Sequence, residues 1–301
     1  MLANVKPLAR NSASRPTLEG PVAAAESKHV TTSDGVKLHY LEAGVGPVLL
    51  MLHSWSGTAE QFCYQIDGLS KRNRCIALDM RGHGDSEKVD HGYKIHRLAK
   101  DVYDVLHALE LIDVVVLGHS MGCSVIWCYW DLFGPQRLRK LILVDQAPFV
   151  TSNPAWSEAE RQSAGSLFDL EVLLQTCNAV AGHDGDLTTK QIFNGTFTKA
   201  MHEAEKSRII EGFLKLPRRH AASLLYNHCV QDWRDVIPRI NLPSLIVGGR
   251  VSIFPWQSQE WIHRQISGSQ LEIFEEEEGG NHFMFLEQPE KFNRIVSEFI
   301  R

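Results

Sequence analysis

The chain has 301 residues, of which 44% are hydrophobic and 22% charged; this suits one large globular domain or a domain with an insertion, and excludes disorder over most of its length. A formal net charge of -5, from 31 Lys+Arg against 36 Asp+Glu with no basic cluster, excludes a general nucleic-acid binder, which needs a basic face to displace counterions from phosphates. Apolar runs such as Val48 to Leu52 and Val114 to Leu117 fall far short of the roughly 20 residues of a membrane span, so no membrane partner is expected.

Met1 to Ala25 has no continuous apolar core and does not read as a secretory signal. Its first residues carry Lys6, Arg10 and Arg15 with Ser12 and Ser14 and no acid, a composition shared by organelle transit peptides and disordered tails. Residues 1–26 are expected to form a disordered extension. The six cysteines (Cys63, Cys75, Cys123, Cys128, Cys177, Cys229) are scattered and no pair has C-x-x-C spacing, which argues against a zinc or redox site. Reduced cysteines acting as small hydrophobes fit a soluble cytoplasmic protein.

From Lys28 the sequence alternates as a strand, turns at Ser33-Asp34-Gly35 and alternates again from Val36 to Leu41, a predicted β-hairpin. Short apolar strands follow at Val48 to Leu52, Arg74 to Leu78, Val114 to Leu117 and Leu141 to Val144, separated by segments of helical spacing such as Ile95 to Leu109. Strands buried on both faces and alternating with helices predict a parallel sheet. After Pro148 the strand signals stop for about eighty residues and the spacing becomes helical, with apolar positions at Leu167, Leu170, Leu173 and Leu174 and again at Ile209, Ile210, Phe213 and Leu214. That stretch reads as an inserted helical cap. The sheet resumes at Leu242 to Gly248, followed by a helix from about Gln257, a strand at Gln270 to Phe274, and a last helix from Pro289 to Phe299. The expected organisation is a core of residues 27–148 and 231–301 with a cap of residues 149–230. The acidic run Glu275 to Glu278 reads as a solvated loop.

Gly118-His-Ser-Met-Gly122 lies between a buried strand and an apolar helix, the context of a nucleophile elbow with Ser120 as the nucleophile. A serine hydroxyl is a poor nucleophile until a base takes its proton. His282, in the loop after the last strand, is the candidate base; the bland alternative is a surface histidine. His119 reads as a packing residue of the elbow.

From about Lys28 to the C-terminus the chain resembles the α/β-hydrolase superfamily. The resemblance rests on Leu52-His-Ser-Trp-Ser-Gly57 after the third strand, Asp79-Met-Arg-Gly-His-Gly-Asp-Ser86 after the fourth, the elbow, and Gly280-Asn-His282 near the end. It implies an α/β-hydrolase fold: a mostly parallel sheet flanked by helices, with a helical cap inserted after the sixth strand. It also implies that Arg81, His83 and Asp85 are structural. Two departures stand out. The loop after the seventh strand, Gly249-Arg-Val-Ser-Ile-Phe-Pro255, has Ser252 where the family most often has its acid. Some members place the acid after the sixth strand, where this chain has Asp145, the expected partner of His282; the alternative for Asp145 is a strand-end cap. Asp232 and Asp235 read as helix-surface acids. The second departure is Ser54, where the family usually has glycine. The backbone N–H groups of Met121 and Trp55 are the expected oxyanion donors.

Candidate substrate-binding residues are His53, Phe149, Trp156, Trp256 and Phe283, with Phe168, Phe193 and Trp233 as further lining; any of them can equally be core. The expected activity is a serine hydrolase that needs no cofactor and cleaves an ester or lactone of a compact apolar or aromatic small molecule through an acyl-enzyme. Two alternatives are a cofactor-independent dioxygenase acting on a hydroxylated aromatic ring through a His/Asp dyad, and a small-molecule receptor on a hydrolase scaffold. The oligomeric state is not legible in the sequence.

Overall fold

In the computed structural model, which describes residues 25–301, the hairpin expected near the start is formed by β1 (Glu26–Thr31) and β2 (Lys37–Ala43). Its turn is closed by the Thr32 N–H donating to Val36 O at 2.9 Å. β1 therefore begins inside the segment expected to be disordered, while the tail and transit-peptide readings otherwise lie outside the described residues. Six further strands follow: β3 (Val48–Leu52), β4 (Arg74–Leu78), β5 (Val114–His119), β6 (Leu138–Val144), β7 (Ser244–Gly249) and β8 (Gln270–Phe274). They form one eight-stranded sheet in the order β1-β2-β4-β3-β5-β6-β7-β8. β1 and β2 pair antiparallel with their neighbours, and every pair from β4 to β8 is parallel. All residues of β5 and β7 are buried, as expected of strands covered by helices on both faces.

Helices α1 (Cys63–Leu69), α2 (Ile95–Ala108) and α3 (Met121–Phe133) connect the strands up to β6. Between β6 and β7 run α4 (Glu158–Ala164), α5 (Leu170–Ala181), α6 (Gly185–Asn194), α7 (Glu203–Phe213) and α8 (Arg218–Cys229). The chain ends with α9 (Trp256–Gln265), α10 (Met284–Glu287) and α11 (Pro289–Ile300). α2 turns a stripe of Leu98, Val102, Val105 and Leu106 to the core, whereas α3 is buried from Met121 through Trp130 because it lies directly under the central strands. The inserted helices are tied to the rest by polar contacts: the Trp55 indole N–H donates to Ala221 O at 2.9 Å, and the Ile95 N–H donates to Asn227 Oδ1 at 2.8 Å. None of the helices among the described residues is long and apolar enough to cross a membrane.

Two sequence expectations are corrected here. Asp232 and Asp235 do not sit on a helix; they lie in the loop before a short 3-10 turn at Ile237–Arg239, and Asp232 pairs with Arg234 at 2.6 Å. The acidic run is largely solvent-exposed as expected, but Glu276–Glu278 is wound into a single 3-10 turn rather than open loop. It is held by Glu275 to Arg250 (2.8 Å) and Glu278 to Lys291 (2.9 Å). All six cysteines are buried and free.

The loop after β4 is organised by buried charge. Arg81, wholly buried, donates to Asp101 and to Asp34, each within 2.9 Å. Asp79 accepts the Ala59 N–H at 2.6 Å and the Asp85 N–H at 2.9 Å, and lies 2.7 Å from His39 Nδ1. Burial by itself would raise the Asp79 carboxyl, but the hydrogen bond from His39 and the neighbouring donors outweigh it and hold it at about 2. Asp79→Ala would leave these donors buried and unpaired. The expected cost is about 3 kcal/mol, read as a lower urea midpoint, with Asp79→Asn losing less.

Candidate active site

Ser120 sits at the turn between β5 and α3 with φ 53° and ψ -122°, a conformation that L-residues adopt only under constraint. The constraint is visible on both sides. A Cβ on Gly118 would lie 2.6 Å from the Gly122 carbonyl carbon, and one on Gly122 would lie 2.3 Å from Leu52 O, so only glycine lets β5, α3 and β3 approach this closely. The Ser120 N–H donates to Val144 O at 2.8 Å, which pins the turn to the end of β6. Met121 is the first residue of α3; neither its N–H nor that of Trp55 donates to a main-chain carbonyl among the described residues.

Asp145 follows β6 and is wholly buried, with φ 50°. His282, in the loop between β8 and α10, is also buried, and its Nδ1 lies 2.6 Å from Asp145 Oδ2. The same carboxylate oxygen accepts a hydrogen bond from Ser252 Oγ, and the Gly249 N–H approaches Oδ1 at 3.4 Å. Ser252, singled out because it replaces the more common acid, thus supports the acid that stands elsewhere. Replacing it with alanine should weaken the carboxylate's orientation and lower kcat about tenfold with little change in KM, measured by steady-state kinetics.

A second chain of contacts holds the main chain of His282. Ser54 Oγ donates to Gln61 Oε1 (3.2 Å), Gln61 Nε2 donates to His119 Nδ1 (3.1 Å), and His119 Nε2 donates to the His282 carbonyl (2.9 Å). His119 must be neutral to accept from Gln61, and burial, assisted by the nearby His282, pushes its pKa well below the usual histidine value. Ser54, Gln61 and His119 therefore form a connection from the loop after β3 to the loop carrying His282. Gln61 carried no signal in the sequence, and His119, expected only to pack, hydrogen-bonds through both ring nitrogens.

Ser120 and His282 face one cavity of about 550 Å³, its open mouth included, without a hydrogen bond between them. The core side of the wall is Ser54, Trp55, Ile253 and Phe254, and the inserted side includes Val150, Phe168, Ile192, Phe193, Leu225 and His228. Trp55 stacks on Phe193 with ring centroids 5.7 Å apart.

Of the expected lining residues, Phe168 and Phe193 are on this wall and the five named first are not. His53 is wholly buried beneath it: its Nδ1–H donates to Ser54 O (2.8 Å) and its Nε2 accepts the Met80 N–H (3.0 Å). Burial lowers its pKa to about 4. Phe149 and Trp156 pack edge to face and share the Arg234 guanidinium, and Trp256 lies under Arg250 at 4.3 Å. Phe283 is wholly buried against Phe197 and Phe213. Trp233 packs near Trp127.

Among the described residues one group, His39, Asp79 and Asp85, stands close enough to share a metal ion. Its atoms already serve the β4 loop, and Asp85 pairs with Lys215 at 3.0 Å.

A strained serine at a strand-to-helix turn, beside a buried His–Asp pair at the ends of a parallel sheet, defines the class of hydrolases with a nucleophile elbow. The profile of the alpha/beta hydrolase fold matches residues 47–289, and the chain belongs to that family. It is 27% identical over 274 residues to AB hydrolase superfamily protein YisY of Bacillus subtilis (strain 168), covering 90% of this chain and 98% of that one. Among solved structures it resembles the esterase EaEST from Exiguobacterium antarcticum (26% identity, TM-score 0.81, 91% of this chain and 99% of that one). It also resembles the bromoperoxidase from Bacillus anthracis (20% identity, TM-score 0.82, 91% and 99% covered), a likeness of fold.

Proposed function

We propose that the protein is a serine hydrolase that cleaves an ester or lactone of a compact, largely apolar small molecule through an acyl-enzyme. The observation that carries this reading is His282, paired with the buried Asp145, on the wall of a cavity that Ser120 also faces. In this reading His282 Nε2 takes the Ser120 proton as Oγ attacks the substrate carbonyl, while Asp145 keeps the other imidazole proton at Nδ1 and stabilises the imidazolium. The N–H groups of Met121 and Trp55 receive the negative charge on the carbonyl oxygen, Met121 with the favourable end of the α3 dipole behind it. The alkoxide then leaves with the proton from His282, and water, deprotonated by the same nitrogen, releases the acid and restores Ser120. Water is the only co-substrate this cycle uses.

The five helices between β6 and β7 act in this reading as a cap: they supply the apolar far wall and so set what fits, while the sheet ends set the chemistry of attack. The likeness to an esterase supports an ester as the substrate class.

The test is intact-protein mass after exposure to a fluorophosphonate, run beside ester turnover. One phosphonyl adduct on the wild type and none on Ser120→Ala, with turnover lost in that variant while its melting temperature is kept, is the expected result. Turnover near the wild-type rate in Ser120→Ala would sink the acyl-enzyme. Oxygen uptake with a hydroxylated aromatic compound in that variant would then favour a dioxygenase.

A further inference from the structure

His228 lies on α8, in the inserted part of the chain, and forms part of the wall of the cavity that Ser120 and His282 face. Its protonation is dictated by its neighbours. The Ala147 N–H donates to Gln146 Oε1 at 2.9 Å, which fixes the direction of the Gln146 amide. The Gln146 NH₂ then donates to Ser124 Oγ (2.9 Å) and to His228 Nε2 (3.1 Å). His228 Nε2 is therefore an acceptor, and the ring proton sits on Nδ1. Burial pushes the pKa of the ring down to about 3, so it stays neutral in any ordinary buffer.

The Nδ1–H defined in this way is buried and has no hydrogen-bond partner among the described residues. Other polar groups of the wall are accounted for. Ser54 Oγ donates to Gln61 and Thr196 Oγ to Phe193 O, while Ser120 and His282 serve the reaction in the reading above. The apolar lining residues of the same cavity, Val150, Leu167, Phe168, Leu225 and Phe254, carry no acceptor side chain. Native interiors rarely leave a buried donor unpaired, and of the nine buried side-chain atoms without a partner among the described residues this is the one that belongs to a residue lining the cavity.

We propose that His228 is a specificity determinant: its Nδ1–H hydrogen-bonds a ketone, ether or carbonyl oxygen in the non-reacting part of the substrate. The cavity then selects esters that carry one such oxygen over all-hydrocarbon esters of the same shape. This rests on the serine-hydrolase reading and names its substrate class more closely. The physical basis is asymmetric: a hydrocarbon leaves the donor unpaired, whereas the right oxygen satisfies it, and sites built around a polar partner discriminate far better than apolar pockets of matching shape.

The experiment compares kcat/KM for p-nitrophenyl esters with a ketone at successive acyl positions, each against its methyl-branched isostere, and for butyrate esters of the corresponding oxo-alcohols. Taking the oxo-to-isostere preference of the wild type over that of His228→Leu cancels both intrinsic reactivity and any general loss of activity. A ratio of about tenfold or more for at least one position is expected, with part of it recovered in His228→Gln, which keeps an N–H donor. A ratio of one at every position in both series overturns the proposal. Should the wild type hydrolyse none of these esters, the serine-hydrolase reading is what fails. His228 is then judged by calorimetric binding of the free oxo-alcohols: affinity about tenfold tighter for wild type than for His228→Leu supports the donor, and equal affinity overturns it.

Discussion

Asp145→Asn is expected to lower kcat by about 10³ to 10⁴ while the protein keeps its melting temperature within a few degrees. The reason lies in what meets the carboxylate. His282 Nδ1 and Ser252 Oγ both reach Oδ2, and the Gly249 N–H reaches Oδ1, so the group is surrounded by donors. An asparagine that turns its oxygen to Gly249 presents NH₂ to His282. Nδ1 must then become the acceptor, the ring proton moves to Nε2, and the nitrogen facing the cavity can no longer accept the serine proton. Ser252→Asp in the Asp145→Asn background returns a carboxylate to the same spot from the end of β7 and should restore part of the rate. Asp232→Asn and Glu278→Gln, which touch neither His282 nor the cavity, should change kcat little. If Asp145→Asn proves nearly silent in steady-state kinetics, the acid is assigned wrongly.

Acid should unfold this protein well before its carboxylates titrate. His53, His83, His119 and His228 are buried and neutral, with pKa values pushed by burial to about 4 for His53, to about 3 for His228, and well below the ordinary value for the other two. In the unfolded chain each takes a proton near pH 6.5. Between that value and about 4 the unfolded state therefore binds more protons than the native state, and stability must fall as pH falls. From pH 6.5 to 5 the loss is on the order of 1–2 kcal/mol for a ring that stays neutral in the native state. Four such groups together reach the scale of a whole domain's stability, which is about 5–15 kcal/mol. Asp79, held at about 2, keeps its contribution throughout this window, because it is lost only below the unfolded carboxylate value. Urea midpoints at pH 7.5, 6.5, 5.5 and 5 check this; a midpoint that does not move over this range would show that these rings are solvated or protonated in the native state.

The fold and the elbow were legible because their demands are local. A serine forced to positive φ between a strand and a helix needs small neighbours at fixed offsets, and Gly118 and Gly122 stand there in the sequence. Strands buried on both faces announce themselves as short apolar runs whatever lies around them. Asp145 was legible as the partner of His282 only through the place of Leu141 to Pro148 after the sixth strand, and the structure brings the two together across 137 residues of chain.

The cavity wall was legible only in part, through Phe168 and Phe193. Phe149, Trp156 and Trp256 were expected there because large aromatics in and beside an inserted segment favour pockets, yet they cover the guanidinium groups of Arg234 and Arg250 instead. His53 had every chemical qualification for the site but sits one layer below it, its two nitrogens used by Ser54 and Met80.

By itself, then, the sequence determined the strand order of chemistry along the chain: a serine on an elbow, an acid after β6, a histidine after β8 and a helical insertion between β6 and β7. The elbow, the strands and the insertion are set by steric and periodic rules that act over a few residues, whereas Asp145 was expected as the acid only through the resemblance to α/β-hydrolases. Only the tertiary structure decided that Ser252 props Asp145, that Gln61 and His119 connect Ser54 to His282, and that Gln146 fixes the proton of His228. Apart from the short Ser54–Gln61 link, each of these is a hydrogen bond between groups more than fifty residues apart in the chain, and its direction depends on what other donors each has already met; no local pattern carries that information.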